Sequence, residues 1–244
     1  MLGRGTGPHV FVADLDRPEL DEHDRHHLAK ALRLRPGDLL TVSDGAGRWR
    51  PARFGPEVEP DGEVVAEPVP QPPITVGLAP IKGQRPEWAV QKLTEIGVDA
   101  IWLLVADRSV VRWEGERGAG HAERLARVAR EAAMQSRRTR LPDVRVGVAV
   151  ATAAAATGVA LADPGGPPPT LSRPVVLIGP EGGWSDAERD AAPILVGLGP
   201  NVLRAETAAV AAGTLLAALR HGLVAEPVAT SVSEPVRRVN TEGG

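Results

Sequence analysis

The chain has 244 residues, of which 43% are hydrophobic and 24% charged, a composition that excludes fibres, short stapled peptides and wholly disordered chains. Twenty-eight basic residues against 31 acidic ones give a net charge of −3, so any site for a polyanion must be local. The chain contains no cysteine, which excludes disulfides, thiolate nucleophiles and cysteine-based zinc sites and fits a reducing compartment. We therefore expect a cytoplasmic protein.

Neither a secretion signal nor a membrane span is predicted. The first ten residues, MLGRGTGPHV, contain no apolar stretch of the kind that signal peptides carry. The longest weakly polar stretch, Val146–Ala162, is rich in alanine with Gly and Thr interruptions, and it is predicted to form a buried strand and helix. Only five Trp and two Phe are present, too few for an aromatic sheet that stacks several RNA bases.

Short β-type runs dominate the first seventy residues, with helical periodicity only around Glu22–Leu34. The predicted strands are Val10–Ala13, Leu39–Ser43, Trp49–Phe54 and Glu63–Ala66, and Asp44-Gly45-Ala46-Gly47 predicts a tight turn between two of them. Residues Pro68–Pro73 read PVPQPP, which is stiff and extended because proline fixes its own φ and restricts the preceding residue. These patterns predict a β-rich domain over residues 1–72, with the domain linker at Pro68–Pro73.

Strands and helices alternate beyond the linker, which favours a mainly parallel α/β sheet over residues 73–228. The predicted strands are Ile74–Ala79, Ala100–Val105 and Val175–Ile178, and the predicted helices are Glu87–Ile96, Ala122–Ser136 and Ala205 to about His221. Ser185 and Glu188 fit a capping box at another helix start. The last helix is apolar nearly all round, so we expect it in the core or against another subunit. Residues 229–244 are predicted to be a loose tail.

Two loops at predicted strand-to-helix junctions could form one pocket. Ile178–Gly183 is a small-residue loop of the kind that lets backbone groups approach a ligand, and Leu198–Ala208 packs Arg204, Glu206 and Thr207 together at a helix start. A plain tight turn and a first helical turn that complements the helix dipole are the alternative interpretations. Neither GxxxxGK[ST] nor GxGxxG occurs in these loops, which disfavours nucleotide hydrolysis and dinucleotide binding.

Two basic groups stand out against the acidic background. Seven cations between residues 25 and 53 face only Asp38 and Asp44, and seven between residues 121 and 145 face three acids. This segregation favours a polyanion partner over a solvated charged surface. The candidate contacts are Arg25, Lys30, Arg33, Arg124, Arg127, Arg137 and Arg140. We predict no metal site, because His23, His26 and His27 with Asp21, Glu22 and Asp24 are typical of a polar helix start.

Five stretches occur in an order that is similar to one known family. They are His26–Arg33 with Pro36–Asp38; Lys82 with Glu87-Trp88 and Gln91–Val98; Arg108-Ser109 with Glu123-Arg124, Glu131-Ala132, Gln135-Ser136 and Arg138; Ile178–Gly183; and Leu198–Ala208. Together they resemble the ribosomal RNA small subunit methyltransferase E family of the SPOUT superfamily.

The resemblance implies a PUA-like β-barrel, a SPOUT α/β domain with a trefoil knot, and a homodimer that methylates N3 of a uridine in the decoding region of 16S ribosomal RNA. S-adenosylmethionine is the cofactor that it implies. By position, the cofactor would contact Leu177, Ile178, Gly179, Glu181, Gly182, Gly183, Leu198, Gly199, Val202, Leu203 and Thr207. We expect Arg204 to stabilise developing negative charge and Glu206 to accept a proton, with Arg138 as an alternative electrostatic helper that reaches in from the second subunit.

Three departures and three alternatives accompany the resemblance. One departure is Pro86 within the Lys82–Glu87 stretch, which is tolerated at a helix start. The family usually has a basic residue where this chain has Asn201, and an Arg near the first strand where it has Pro8 and His9, so we expect altered RNA contacts there. A related SPOUT enzyme that methylates a ribose 2′-hydroxyl or another base is the first alternative function. A ribosome-assembly RNA-binding protein without catalysis is the second, and a nicotinamide or nucleotide enzyme is the third.

Overall fold

The structure is a computed structural model that describes residues 7–80, 85–110, 113 and 115–227; Lys82 and the predicted tail at residues 229–244 lie outside them. Its first sheet forms what we call the β lobe. The strands are β1 (His9–Phe11), β2 (Leu39–Ser43), β3 (Arg48–Arg53), β4 (Glu59–Pro60) and β5 (Val65–Ala66). β1 pairs in parallel with β2, β2 is antiparallel to β3, and β4 and β5 both pair with β3.

The turn between β2 and β3 forms where the sequence predicts it. The Asp44 Oδ1 atom accepts hydrogen bonds from the backbone N–H groups of Ala46 and Arg48, at 2.8 and 3.0 Å. Gly45 and Gly47 take positive φ angles of 72° and 98°, which glycine adopts without steric cost. This turn sets the register that pairs Ser43 with Trp49.

The helix predicted over Glu22–Leu34 is shorter and changes type. It consists of α1 (Glu22–His26), capped by the Asp21 side chain, and a π-helical turn over His27–Ala31. Arg33 has a φ angle of 57°, a left-handed conformation that no longer continues a helix. Helical periodicity alone carries no signal for either change.

Six parallel strands build the second sheet, whose order β11-β9-β10-β6-β7-β8 confirms the α/β prediction. The strands are β6 (Thr75–Leu78), β7 (Ala100–Val105), β8 (Asp143–Ala149), β9 (Val159–Ala162), β10 (Val175–Ile178) and β11 (Leu195–Val196). The helices are α2 (Arg85–Ile96), α3 (Gly115–Gln135), α4 (Val150–Ala154), α5 (Asp186–Ala191) and α6 (Ala205–Arg220). We call this part the α/β lobe.

Buried side chains fill both faces of this sheet. Val76, Val176 and Ile178 point to the face that α2, α3 and α6 cover, whereas Leu177 joins a second cluster with residues of α4 and Trp184. Alternation with period two explains why neighbouring residues of one strand enter different clusters. Among the described residues, no helix has the length and apolar character needed to cross a bilayer.

The last helix is buried on one side only, although its sequence is apolar nearly all round. Ala209, Ala212 and Leu216 are fully buried, while Thr214 and Leu215 are exposed. Gly213 lets α6 approach α2, because a Cβ atom there would lie 2.8 Å from a Leu93 methyl carbon. Within one chain, half of the residues of α6 are buried in the core.

A short strip of chain, residues 138–141, joins the two lobes. The backbone N–H of Gly47 donates to Thr139 O at 2.9 Å, and that of Leu141 donates to Gly45 O at 3.0 Å. The Ser43 hydroxyl also donates to Thr139 O, at 3.0 Å. These bonds run between segments far apart in sequence, so the lobes are attached by more than the linker.

Candidate active site

A cavity of about 420 Å³ opens where three neighbouring strands of the α/β sheet end. β9 lies between β10 and β11, so the loops after these strands meet at one edge, as the carboxyl ends of parallel strands do. The cavity is lined by Ala162, Asp163, Pro164, Ile178, Gly179, Pro180, Glu181, Gly183, Trp184, Leu198, Gly199, Asn201, Val202, Leu203, Arg204, Ala205 and Ala208. The structure therefore brings the two loops singled out in the sequence to one pocket.

Trp184 fixes one side of the loop over residues 178–184. Its indole is buried and donates a hydrogen bond to Ala162 O at 3.2 Å, which ties this loop to the end of β9. A Cβ atom on Gly179 would lie 3.0 Å from the indole ring, so a larger residue there would force the ring to shift by a few tenths of an ångström. The floor of the cavity thus depends on an aromatic residue and a glycine acting together.

A network of hydrogen bonds fixes the other side of the loop. Glu188 accepts from the backbone N–H of Asp107 at 2.9 Å and from that of Ser185 at 2.8 Å, and the Ser185 hydroxyl donates to Asp107 Oδ2 at 2.6 Å. The predicted capping box at Ser185 and Glu188 is confirmed. Arg108 Nη1 also donates to Gly182 O at 3.1 Å. The loop after β7 therefore holds the cavity loop from outside.

Helix α6 begins at the cavity. Arg204 is its N-cap residue, is exposed, and lines the cavity, and its own side chain makes no capping hydrogen bond. The N–H groups at a helix start carry partial positive charge and favour acceptor atoms of a ligand. Glu206 is half-buried in the first turn, and Thr207 is exposed; neither lines the cavity.

Most of the predicted cofactor contacts surround this cavity. Those that line it are Ile178, Gly179, Glu181, Gly183, Leu198, Gly199, Val202 and Leu203, and those that do not are Leu177, Gly182 and Thr207. Leu177 is fully buried because it points to the far face of the sheet. Sequence patterns did not identify Asp163, Pro164 or Trp184 as lining residues. The available signal for the first two was the Pro- and Gly-rich loop that directly follows β9.

Arg138 lies away from the cavity, and its guanidinium is committed inside the same chain. Its Nη1 donates to Thr94 O at 2.8 Å and to Val98 O at 2.9 Å, and Nη2 lies 3.8 Å from Asp99 Oδ1. Burial lowers the pKa of Arg138 to about 10, with the nearby Arg220 acting in the same direction and Asp99 opposing it. Within its own chain Arg138 therefore holds the end of α2 in place, and its role toward a second subunit stays a prediction.

The predicted RNA contacts divide into structural and exposed residues. Arg140 donates to Ala46 O and to Glu67 O, and Arg25 donates to Gly55 O, so these cations hold backbone segments. Arg137 is half-buried with a φ of 57° at the end of α3, and Arg124 is exposed but pairs with Glu87 at 3.1 Å. Lys30, Arg33 and Arg127 are exposed. Of the seven predicted contacts, these three and Arg124 are exposed to a polyanion.

The polar cluster near α1 serves the fold. Asp21 caps α1, and Asp24 is buried against Arg130 of α3, whose Nη2 lies 2.5 Å from Asp24 Oδ2. In the part of the chain that the structure describes, no group of His, Asp and Glu is arranged to hold a metal ion. His9 is also buried; one ring nitrogen contacts Thr41 Oγ1 at 2.7 Å and the other Arg138 O at 2.9 Å. Its place is therefore between the lobes.

Comparisons with known proteins agree with this geometry. A family model described as an RNA methyltransferase domain matches residues 67–217, and one described as an RNA methyltransferase PUA domain matches residues 20–55. The curated protein "Ribosomal RNA small subunit methyltransferase E" of Mycobacterium bovis is 35% identical, over 79% of this chain and 83% of that protein. The chain belongs to the ribosomal RNA small subunit methyltransferase E family.

Solved structures of similar proteins have the same fold. A probable rRNA-methyltransferase from Porphyromonas gingivalis superposes with a TM-score of 0.71 at 29% identity, covering 89% of this chain and all of that one. A Ribosomal RNA small subunit methyltransferase E from Neisseria gonorrhoeae, bound to S-adenosyl methionine, gives a TM-score of 0.69 at 26% identity, covering 87% and 98% of the two chains. The resemblance seen in the sequence is thus confirmed.

Proposed function

We propose that this member of the methyltransferase E family uses S-adenosylmethionine to methylate N3 of a uridine in the decoding region of 16S ribosomal RNA, in the cytoplasm. The observation that carries the proposal is the single cavity lined by both loops, with Arg204 at its edge. The S-adenosyl methionine bound to the Neisseria relative supports the choice of cofactor.

The cavity fits an adenosyl ligand in size and in chemistry. Its volume of about 420 Å³ lies in the usual range for small-molecule sites. Leu198, Leu203 and Ala208 offer an apolar wall for an aromatic base, and the first-turn N–H groups of α6 can serve acceptor atoms. Glu181 brings an exposed carboxylate to the wall of the cavity, where it can face the positive charge of a cationic ligand. S-adenosylmethionine has all of these features.

The chain's own residues have two tasks in the reaction. When bound, the cofactor supplies a methyl group on a cationic sulfur. Uridine N3 carries a proton that must leave, and Glu206 accepts it, directly or through water, while the N3–methyl bond forms and the sulfur–methyl bond breaks. Arg204 stabilises the negative charge that develops on the pyrimidine oxygens, helped by the positive end of α6. S-adenosylhomocysteine is the second product.

The exposed cations are proposed to bind the RNA backbone across both lobes. Lys30 and Arg33 lie in the β lobe and Arg127 lies on α3, which contacts the β lobe through the Arg130–Asp24 ion pair. Arginine suits phosphate because its forked guanidinium matches two oxygens. An RNA that touches both groups would pass over the junction of the lobes.

The remaining family features belong to the same proposal. We place a PUA-like barrel in residues 1–72, a SPOUT domain with a trefoil knot in residues 73–228, and a loose tail beyond. The exposed side of α6, with Leu215 at 36% exposure, and the neighbouring Trp88 of α2, at 44%, form the proposed homodimer contact. Light scattering of the purified protein should give about twice the chain mass of 25.6 kDa; a monomer at micromolar concentration would contradict the dimer.

The test of function is methyl transfer to small ribosomal subunits that lack the modification, with labelled S-adenosylmethionine, followed by nucleoside mapping. The expected product is 3-methyluridine at a single position of 16S ribosomal RNA. A 2′-O-methylated ribose or another methylated base would identify a different RNA methyltransferase. Binding of RNA without any transfer would identify a non-catalytic assembly protein.

Glu206→Gln tests the proton acceptor. We expect single-turnover methylation to slow by at least about 100-fold, with normal cofactor binding, since a positioned base contributes that much or more. Glu63→Gln, a change at an exposed residue of the β lobe, is the matched control. An unchanged rate in Glu206→Gln would eliminate the residue as the base.

A further inference from the structure

A carboxylate and a guanidinium meet at the wall of the cavity. Asp163 follows directly after β9 and lines the cavity, and its Oδ2 accepts a hydrogen bond from Nη2 of Arg189, on α5, at 2.7 Å. The Asp163 side chain keeps 21% of its surface exposed. Within the described residues, its Oδ1 atom receives no hydrogen bond. One oxygen of the carboxylate is thus fixed and the other is open to a ligand.

The backbone around Asp163 is held as firmly as its side chain. The Asp163 N–H donates to Val196 O at 3.0 Å, and Asp163 O accepts from the Gly166 N–H at 3.2 Å. A Cβ atom on Gly166 would lie 2.6 Å from the Val196 carbonyl carbon, so this loop packs directly on the end of β11. Asp163 is therefore presented to the cavity in one position.

The ion pair decides which chemical group this carboxylate can recognise. Arg189 already neutralises its charge, so Asp163 has little attraction left for a second cation, although its open lone pairs can still accept a hydrogen bond. A neutral hydroxyl is the matching donor. Glu181, which forms no ion pair within the described part of the chain, remains to face the cationic part of the ligand.

We propose that Asp163, held by Arg189, accepts a hydrogen bond from a ribose hydroxyl of the adenosyl ligand and so selects ribonucleosides over deoxyribonucleosides. This rests on the proposed function, because it names the part of the methyl donor that Asp163 reads. An acidic side chain after a sheet strand performs the same task in dinucleotide-binding folds, which shows that the chemistry is sufficient.

Calorimetry with S-adenosylhomocysteine and its 2′-deoxy and 3′-deoxy analogues tests the proposal without measuring activity. We expect the wild-type protein to bind at least one deoxy analogue about tenfold or more weakly, the effect of losing a hydrogen bond to a charged group. In Asp163→Ala that ratio should fall to about twofold or less. Asp190→Ala, at an exposed position of α5, is the matched control and should keep the wild-type ratio.

Arg189→Gln adds a readout that a purely structural role of the pair would not change. It leaves the Asp163 carboxylate uncompensated, so binding of S-adenosylmethionine relative to S-adenosylhomocysteine should increase severalfold, since only the former carries the sulfonium charge. Asp163→Asn, which keeps the shape of the side chain, provides a second variant if Asp163→Ala unfolds, and it should reduce the ribose preference.

Two results would overturn the proposal. The first is a ribose preference that is unchanged in Asp163→Ala and Asp163→Asn, and the second is a loss in both variants that is equal for all three ligands. If the wild-type protein binds neither S-adenosylmethionine nor S-adenosylhomocysteine, the proposed function itself fails, which is a distinguishable outcome.

Discussion

Alanine substitution of two arginines one turn apart on α3 should affect two different properties, stability for Arg130 and RNA binding for Arg127. Arg130 is 28% exposed and bonds both oxygens of Asp24, at 2.5 and 3.1 Å, while the Asp24 side chain keeps only 3% of its surface exposed. Arg130 also donates to Phe11 O at 3.2 Å. Arg127, in contrast, is exposed. The substitutions Arg130→Ala and Arg127→Ala therefore remove the same side chain from two different environments.

The magnitude for Arg130→Ala follows from the burial of its partner. Breaking a buried ion pair by removing one member costs about 3 to 5 kcal/mol, because the other charge stays buried without compensation. We expect the lower end, about 3 kcal/mol in the free energy of unfolding, because Arg130 is partly exposed and water can enter. Exposed substitutions such as Arg127→Ala change stability by about 0.5 kcal/mol or less.

Urea unfolding followed by circular dichroism measures the free energy of unfolding of both variants. RNA binding at several salt concentrations measures the loss of phosphate contacts. Arg127→Ala should weaken binding of single-stranded RNA and reduce the log–log salt slope by about 0.7 for a lost phosphate contact. Asp24→Leu combined with Arg130→Met should recover much of the lost stability, since no charge stays buried. Equal unfolding free energies for the two single variants would refute this division of α3.

Three further changes test the cavity and the β lobe. Gly179→Ala should cost about 1 to 3 kcal/mol of stability and weaken binding of S-adenosylhomocysteine, because the new Cβ would meet the Trp184 indole at 3.0 Å. Thermal unfolding and calorimetry measure the two effects. Gly120→Ala is the control, since a Cβ there meets nothing within 4 Å. Glu188→Gln removes one of the two carboxylate oxygens that accept from partly buried N–H groups, so we expect a loss of about 1 to 3 kcal/mol in the free energy of unfolding and weaker ligand binding. A variant indistinguishable from wild type by both assays would show that the network does not hold the loop. Partial burial alone would raise the pKa of Asp44, but hydrogen bonds from Arg48 and from the N–H groups of the turn lower it below its usual value. The Asp44 carboxylate thus stabilises the fold above about pH 4, and this stabilisation is lost as the pH falls through the lowered pKa. In Asp44→Asn, the free energy of urea unfolding should therefore depend less on pH between about pH 5 and 2 than in the wild-type protein.

The features predicted from sequence are those that local chemistry determines. The capping box at Ser185 and Glu188 and the turn at Gly45 and Gly47 need only neighbouring residues, so short patterns revealed them. The meeting of the two cavity loops followed from a general property of parallel sheets, whose carboxyl ends share an edge. Sequence order could not place β9 between β10 and β11, which is why Asp163 was missed.

Arginine roles were the least predictable part of the site. A guanidinium that binds phosphate and one that binds backbone carbonyls look alike in sequence, because the difference lies in partners many residues away. Arg138 donates to Thr94 and Val98, and Arg140 contacts Ala46 and Glu67. Only the packing of α3 and β8 against earlier segments brings these carbonyls within reach, and no local pattern encodes that packing.

The bonds that residues 138–141 make to the β2–β3 turn give the chain a second connection between its lobes, in addition to residues 68–73. Two connections restrict rocking in a way that a single tether does not, so the distance from Lys30 and Arg33 to the cavity is set by the protein. If RNA binds these cations as proposed, only a nucleotide that lies at the matching distance from the bound phosphates in the folded RNA can reach the cavity. The protein would then select its target nucleotide by this fixed distance, so unfolding the RNA would abolish modification even with its base sequence unchanged.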